Sequence, residues 1–318
     1  MRSEDVGACV KLIGQHPVIG PRYGHSLGEL GRAWQRLLGS SALKAVVFEE
    51  GARLWGVGVS AFVQESFLRE IKQLPLFWIG PGLARRIAAG ESPLLSERQI
   101  EEANACGGLS AVTWEGCIGA EFAKRSELYH ELMTAFLEQH RGYLWKEQIA
   151  SQAESAGRLR WTLHSGGRMW DAGKGCYTAG VGAGLTAIAR APHVVGITRD
   201  MDRGRPSSWV GALFDYHAPR LGLSRGEQRL LLAAFETGAT TDRELAAALR
   251  LSLPSVKKMW LSAYARAAAV LPEMLPGRAM EGRDAMERGK EKKRRLLAYV
   301  RAHPEELRPV AKKLLASA

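Results

Sequence analysis

Two helix-start signatures set close together in the last third of the chain constrain its fold more than any other feature. In Ser224-Arg225-Gly226-Glu227 the serine hydroxyl can accept the Glu227 amide while the glutamate reaches back to the Ser224 amide, and Thr241-Asp242-Arg243-Glu244 repeats the arrangement. Two short helices are therefore expected to begin there. Thr237-Gly238-Ala239 separates them, and Gly238 can end the first in a left-handed conformation. A third helix is predicted from Ser252, with Pro254 in its first turn, where a missing amide hydrogen costs nothing. The apolar positions agree: Leu230, Leu231 and Ala234 on the first helix, Leu245, Ala246 and Leu249 on the second, and Val256, Trp260 and Ala263 on the third. Three such faces make one small three-sided core, with Trp260 inside it.

That core leaves Ser252, Ser255, Lys257, Lys258, Leu261 and Ser262 outside it, around the positive N-terminal end of the third helix. These are the candidate contacts to double-stranded DNA. Lysines neutralise phosphates or reach guanine edges, and short hydroxyls allow close approach to a base or the backbone. The charge distribution points the same way. Residues 220–318 hold 20 Lys/Arg against 11 Asp/Glu, a net charge of +9, whereas residues 1–219 hold 24 against 22, a net of +2. An excess gathered in one third of a chain is a signature of a polyanionic partner rather than of general solubility.

The spacing Leu223-Ser224-x-x-Glu227, Gly238, Glu244-Leu245-Ala246, Leu249 and Leu251-Ser252-x-x-Ser255-Val256-Lys257 resembles the LuxR-type helix-turn-helix domain over about residues 223–268. That family has a Leu-Thr-x-x-Glu opening, Glu-Ile-Ala in its second helix and Ser-x-x-Thr-Val-Lys at its recognition helix. Trp260 and Ala267 stand here where the family usually carries leucine. Region four of the sigma factors has a similar pattern. The resemblance implies sequence-specific DNA binding by a transcriptional regulator that acts as a homodimer.

After Gly277, a run that includes Lys290, Lys292, Lys293, Arg294 and Arg295 leads into Leu296-Leu297-Ala298-Tyr299-Val300, and Pro304-Glu305-Glu306 opens another turn. A basic helical tail is predicted over 278–318, as extra contact with the DNA backbone or as a solvated charged helix.

The first two thirds of the chain mix periods. Residues 6–13 and 27–38 have helical spacing, while 43–48 and 54–63 are rich in β-branched and aromatic residues, so an α+β domain is expected over 1–219. A short helix is predicted over 96–105 and a strand over 109–114. Phe122, Leu128, Leu132, Phe136 and Leu137 suggest a longer helix from Ala120 to about Ala153, broken near Gly142 and ended by Gly157. Glycines between Gly166 and Gly184, Gly180 and Gly182 among them, read as turns around strands at Trp161-Thr162-Leu163 and Tyr177-Thr178, and Pro206-Ser207-Ser208 and Ala218-Pro219 flank the junction with a helical domain over 220–277.

Arg2-x-x-Asp5 ahead of a helix, followed by the strands at 43–48 and 54–63, faintly resembles the opening of the GNAT acyltransferases. That family carries a Q/R-x-x-G-x-G/A loop for the cofactor pyrophosphate, whereas Gln64-Glu65-Ser66 follows Val63 here. The alternative reading, an acyl-CoA-dependent acyltransferase with an appended helical domain, is therefore set below a sensing or dimerising role, with a small-molecule effector as the ligand and no enzymatic activity. No P-loop fits, because Lys174 precedes Gly175, and no dinucleotide fingerprint follows a strand. Trp55, Phe62, Phe77, Trp78 and Trp114 are candidate pocket aromatics with core packing as the competing role, and His140 and Arg141 are read as surface groups. Cys9, Cys106, Cys117 and Cys176 lack metal-ligand spacing and are read as reduced thiols. With an acidic start and no membrane-length apolar run, the expected setting is the cytoplasm, with no cofactor, metal or membrane partner.

Overall fold

The computed structural model describes residues 1–51, 53–122, 125–179, 184–202, 211–236, 241–274 and 285–311; Gly180, Gly182, Pro206-Ser207-Ser208, Thr237-Gly238-Ala239 and Gly277 lie outside them. The chain forms two units, Met1–His140 with Leu144–Phe214, and Arg141–Tyr143 with Asp215–Ala318. Among the described residues no helix is long and apolar enough to cross a membrane.

The first unit begins with α1 (Asp5–Gln15), α2 (Ile19–Tyr23) and α3 (Leu27–Leu37). A hairpin of β1 (Leu43–Glu50) and β2 (Arg53–Phe62) follows, with Gly51 at φ 63° supplying the left-handed turn residue. Next come α4 (Glu65–Glu70), α5 (Ile79–Ala88) and α6 (Glu97–Ala105), the last opened by a capping box in which Ser96 and Gln99 satisfy each other's amides. Then follow β3 (Leu109–Ile118), α7 (Ser126–His140), β4 (Trp145–Ile149), α8 (Ala156–His164), β5 (Arg168–Asp171), β6 (Cys176–Thr178), α9 (Leu185–Ala189), β7 (Val195–Thr198), α10 (Arg199–Asp202) and α11 (Gly211–Phe214).

The strands make one mixed sheet in the order β1-β2-β3-β4-β7-β5-β6. Only β3 and β4 run parallel, which requires a crossover, and α7 provides it. Opposite β2 the register slips between Val59↔Glu115 and Ser60↔Thr113, leaving Trp114 as the bulged residue. Its ring meets Trp34 edge-on at 6.0 Å and its Nε1 donates to the Gly80 carbonyl at 3.1 Å. Trp34, Trp114, Trp145, Leu109 and Ile149 are among the fully buried side chains that hold this unit together.

Two expectations for this unit are corrected. After a 3-10 turn at Ala120–Phe122 the α-helix runs through Ser126–His140; Gly142, at φ 82°, turns the chain away, and Trp145–Ile149 is a strand between β3 and β7. Trp145, Glu147, Gln148 and Ile149 are all buried, so the segment lacks the alternation that marks a half-exposed strand. Trp161-Thr162-Leu163 lies in α8, not in a strand. Ser155 caps that helix by accepting the Arg158 amide at 3.2 Å, which puts Gly157 near its start, where no helix ends.

In the second unit, α12 (Arg225–Glu236), α13 (Asp242–Leu249), α14 (Leu253–Val270), α15 (Ala285–Ala302) and the single turn Pro304–Leu307 share one core. Leu230, Leu231, Leu245, Val256, Trp260 and Ala263 belong to it, and so do Leu296, Val300 and Leu307 from the end of the chain. Glu306 ties the two ends of this unit together. Its carboxyl accepts the amides of Arg220 at 2.8 Å and Leu221 at 3.0 Å, while Gln228 Nε2 donates to the carbonyls of Glu306 and Arg308, each at 3.0 Å. Burial nevertheless pushes the Glu306 carboxyl above its usual range.

Candidate functional site

The starts of α12 and α13 are built by reciprocal backbone satisfaction. Ser224 donates its amide to Glu227 at 2.6 Å and accepts the Glu227 amide at 3.3 Å; Thr241 and Glu244 repeat the exchange at 2.9 and 3.2 Å. α13 ends in a left-handed residue, Arg250 at φ 55°, with the Leu251 amide donating back to the Ala246 carbonyl at 2.9 Å. A non-glycine residue holds that conformation at some cost, and here it sets the turn that aims α14. Ser252 then caps α14 by accepting the Ser255 amide at 3.3 Å.

Val256, Trp260, Ala263 and Ala267 bury one stripe of α14. On the other side Ser252, Ser255, Lys257 and Lys258 are exposed, as is Leu261, 69% accessible despite its apolar side chain. Five of the six candidate residues thus share one open surface. Ser262 does not: it is half-buried, and its hydroxyl hydrogen-bonds the Glu227 carboxylate. Burial alone would raise Glu227, but the hydrogen bonds from Ser262 and Ser224 and the Arg266 guanidinium 3.2 Å away bring it below its usual range. The tie from Arg266 has no signal in the sequence, because it pairs Glu227 of α12 with a residue of α14 that lies 39 positions further along the chain. In α15, Lys293 stands over the Trp260 ring at 5.0 Å and faces Asp242 at 3.6 Å. Glu291 holds Arg294 and Arg295, each at 2.7 Å, and its carboxyl is pulled down to about 2 by those two hydrogen bonds. Lys290 is exposed.

A second feature lies wholly within the first unit: a cleft of about 130 Å³ between the sheet and helices α7 and α8. The expected aromatics do not line it. Trp55, Phe62 and Trp114 are buried in the core, Phe77 and Trp78 are half-buried, and the aromatics at the cleft are Phe136 and Trp161. His140 is also corrected: it is 1% exposed, with Nδ1 2.6 Å from the Phe136 carbonyl and Nε2 2.6 Å from Ser60 Oγ, whereas Arg141 is exposed. The carbonyl requires a proton on Nδ1, so in the neutral ring Nε2 accepts from the Ser60 hydroxyl. On the face of the sheet opposite α7, the Glu115 carboxylate accepts the Tyr23 hydroxyl at 2.7 Å. Burial pushes the Glu115 carboxyl up to about 7, against the downward pull of Tyr23 and Arg22. Only the fold makes each of these two pairs, Ser60 of β2 with His140 of α7 and Tyr23 of α2 with Glu115 of β3. Gln64, where the sequence departs from the acyltransferase loop, donates to the carbonyls of Ser92 and Leu94 at 2.8 and 3.1 Å and leads directly into α4.

No protein-family model, curated protein or solved structure matches this chain.

Two outcomes follow from this geometry. Trp260→Ala truncates a ring that is 4% exposed and should cost about 3–5 kcal/mol, whereas Lys257→Ala should stay within about 0.5 kcal/mol of the parent. Denaturant unfolding followed by circular dichroism reads both, and an unchanged midpoint for Trp260→Ala would contradict the helix register. The second concerns Glu115, whose folded-state value lies above its ordinary one. The folded chain therefore binds more protons between about pH 4.5 and 7, and stability falls as pH rises through that window, by up to about 3 kcal/mol. Glu115→Gln should flatten this part of the stability–pH profile.

Proposed function

We propose that this chain is a sequence-specific DNA-binding transcriptional regulator, with α12, α13 and α14 acting as a helix-turn-helix and the α+β unit as its sensing or dimerising part. The observation that carries the reading is the division of α14: Val256, Trp260, Ala263 and Ala267 are buried, while Ser255, Lys257, Lys258 and Leu261 are exposed beside the helix N-terminus. A helix held by one buried stripe can offer its other side to the major groove. There Lys257 and Lys258 serve phosphates or guanine edges, Ser252 and Ser255 approach the backbone, and Leu261 contacts a thymine methyl. The net charge of +9 over residues 220–318 supplies the sequence-independent part of the affinity. Ser262 positions Glu227 and has no DNA contact in this reading.

Fluorescence anisotropy with duplex DNA over a salt series tests it. Affinity should fall linearly on a log–log plot, and Lys257→Ala/Lys258→Ala should weaken binding and lower the slope by about 2, one unit for each lysine that no longer neutralises a phosphate. Salt-independent binding, or a double variant with the parent slope, would contradict the proposal.

A further inference from the structure

A sheet face covered by helices is ordinarily apolar, but the face beneath α7 and α8 is not. Lys44, Ser60 and Thr113 stand side by side across β1, β2 and β3, and Gln148 of β4 reaches back to Thr113. With Leu132 and Phe136 of α7 and Trp161 of α8 they line the cleft of about 130 Å³. Several of its polar groups are satisfied within the protein: Ser60 and His140 hydrogen-bond each other at 2.6 Å, and Thr162 Oγ1 donates to the Arg158 carbonyl at 3.1 Å. Gln148 is the exception. It is 5% exposed, and its amide hydrogens go to Thr113 Oγ1 at 3.0 Å and the Ile149 carbonyl at 2.8 Å. A carbonyl can only accept, so the orientation of the amide is fixed and Oε1 is left over. That oxygen is buried without a hydrogen-bond partner, and among the described residues no other atom of that kind lines the cleft. An unmet buried acceptor is costly, and a donor brought into the cleft relieves that cost.

We propose that this cleft binds a compact, uncharged aromatic compound carrying one hydroxyl, a phenol, whose O–H donates to Gln148 Oε1 while its ring lies against Leu132, Phe136 and Trp161. The charges around the cleft exclude the ionic alternatives. An ammonium could donate to Oε1 but would find no carboxylate to pair with: Glu115 turns to the opposite face of the sheet, onto Tyr23, and Glu154 is held by Arg158 at 3.2 Å. Lys44 adds a like charge on the same face. A carboxylate, in turn, brings only acceptors to an acceptor, and Lys44 is badly placed to hold it there. β1 and β4 are three strand spacings apart, about 14 Å between backbones, and the Lys44 ammonium lies over the Phe62 ring of β2 at 5.8 Å. The size also fits. An apolar protein cavity of about 150 Å³ takes up benzene, and Trp161 is 41% exposed, so the cleft reaches the surface there and a ring need not be fully enclosed. The site belongs to the α+β unit alone and does not rest on the DNA-binding reading.

Calorimetric titration of the full chain with phenol, which is uncharged near neutral pH, is the test. Toluene has the same shape without the donor and should bind about tenfold more weakly, because it buries Oε1 unmet. Benzylamine and benzoate, the cation and the anion of similar size, should each bind at least about tenfold more weakly than phenol, since each would bury a charge without a partner. Gln148→Leu should bring phenol down to the affinity of toluene and leave toluene unchanged, with thermal unfolding of the free variant checking that it is folded. Trp161→Ala, at an exposed position, should weaken phenol and toluene alike. If Gln148→Leu fails to fold, the difference between phenol and toluene and the effect of Trp161→Ala decide.

No binding of phenol up to about 10 mM would overturn the proposal. Toluene binding as tightly as phenol would overturn it too, because a donor would then gain nothing at Oε1. So would tighter binding of either ion, a folded Gln148→Leu that still prefers phenol, or a Trp161→Ala with the parent affinities.

Discussion

Burial of one stripe of α14 is the constraint on which the helical unit depends. Val256, Trp260, Ala263 and Ala267 are spaced four, three and four residues apart, so once they enter a common core the opposite side must face outward. Lys257, Lys258 and Leu261 are exposed for this reason, and no separate interaction is needed to present them. The caps at Ser224, Thr241 and Ser252 fix where each helix starts, and Arg250 sets the turn into α14. Leu296 and Val300 of α15 complete the core, where the small Ala267 stands in place of the leucine usual in the motif it resembles.

What can be read from the sequence follows from the range of the interactions involved. The capping boxes and the buried stripe of α14 are local, set within a few residues, and they are present where the spacing predicts them. Strand β4 escapes a reading by periodicity because its burial comes from β3 and β7, on segments remote in the chain, and with Glu147, Gln148 and Ile149 buried in succession it has no alternation to read. Trp161 has β-favouring neighbours that suggest a strand, although Ser155 and the Arg158 amide cap a helix there. His140 shows the same limit at the level of a side chain. Its place beside Arg141 at the end of a helix suggests the surface, whereas its partner, Ser60, lies eighty residues away in the chain.

The two units differ in the kind of chemistry they offer. The helical unit carries the positive excess and an open face, which suits a long polyanion whose charges repeat along its length. The α+β unit is close to neutral over residues 1–219 and holds a cleft of about 130 Å³ between its sheet and helices α7 and α8, a concave surface of the kind that takes a small ligand.

The central claim, that the exposed side of α14 reads the major groove, is tested most directly by methylation interference. Fragments selected from genomic DNA by the full chain would be methylated lightly at guanine N7, an acceptor exposed in the major groove, and partitioned into bound and free pools. The account predicts that methylation at one or two guanines within each half-site blocks binding, and that Lys258→Ala removes the block at one of them. Binding that tolerates methylation at every major-groove guanine and is blocked only by changes in the minor groove would contradict it.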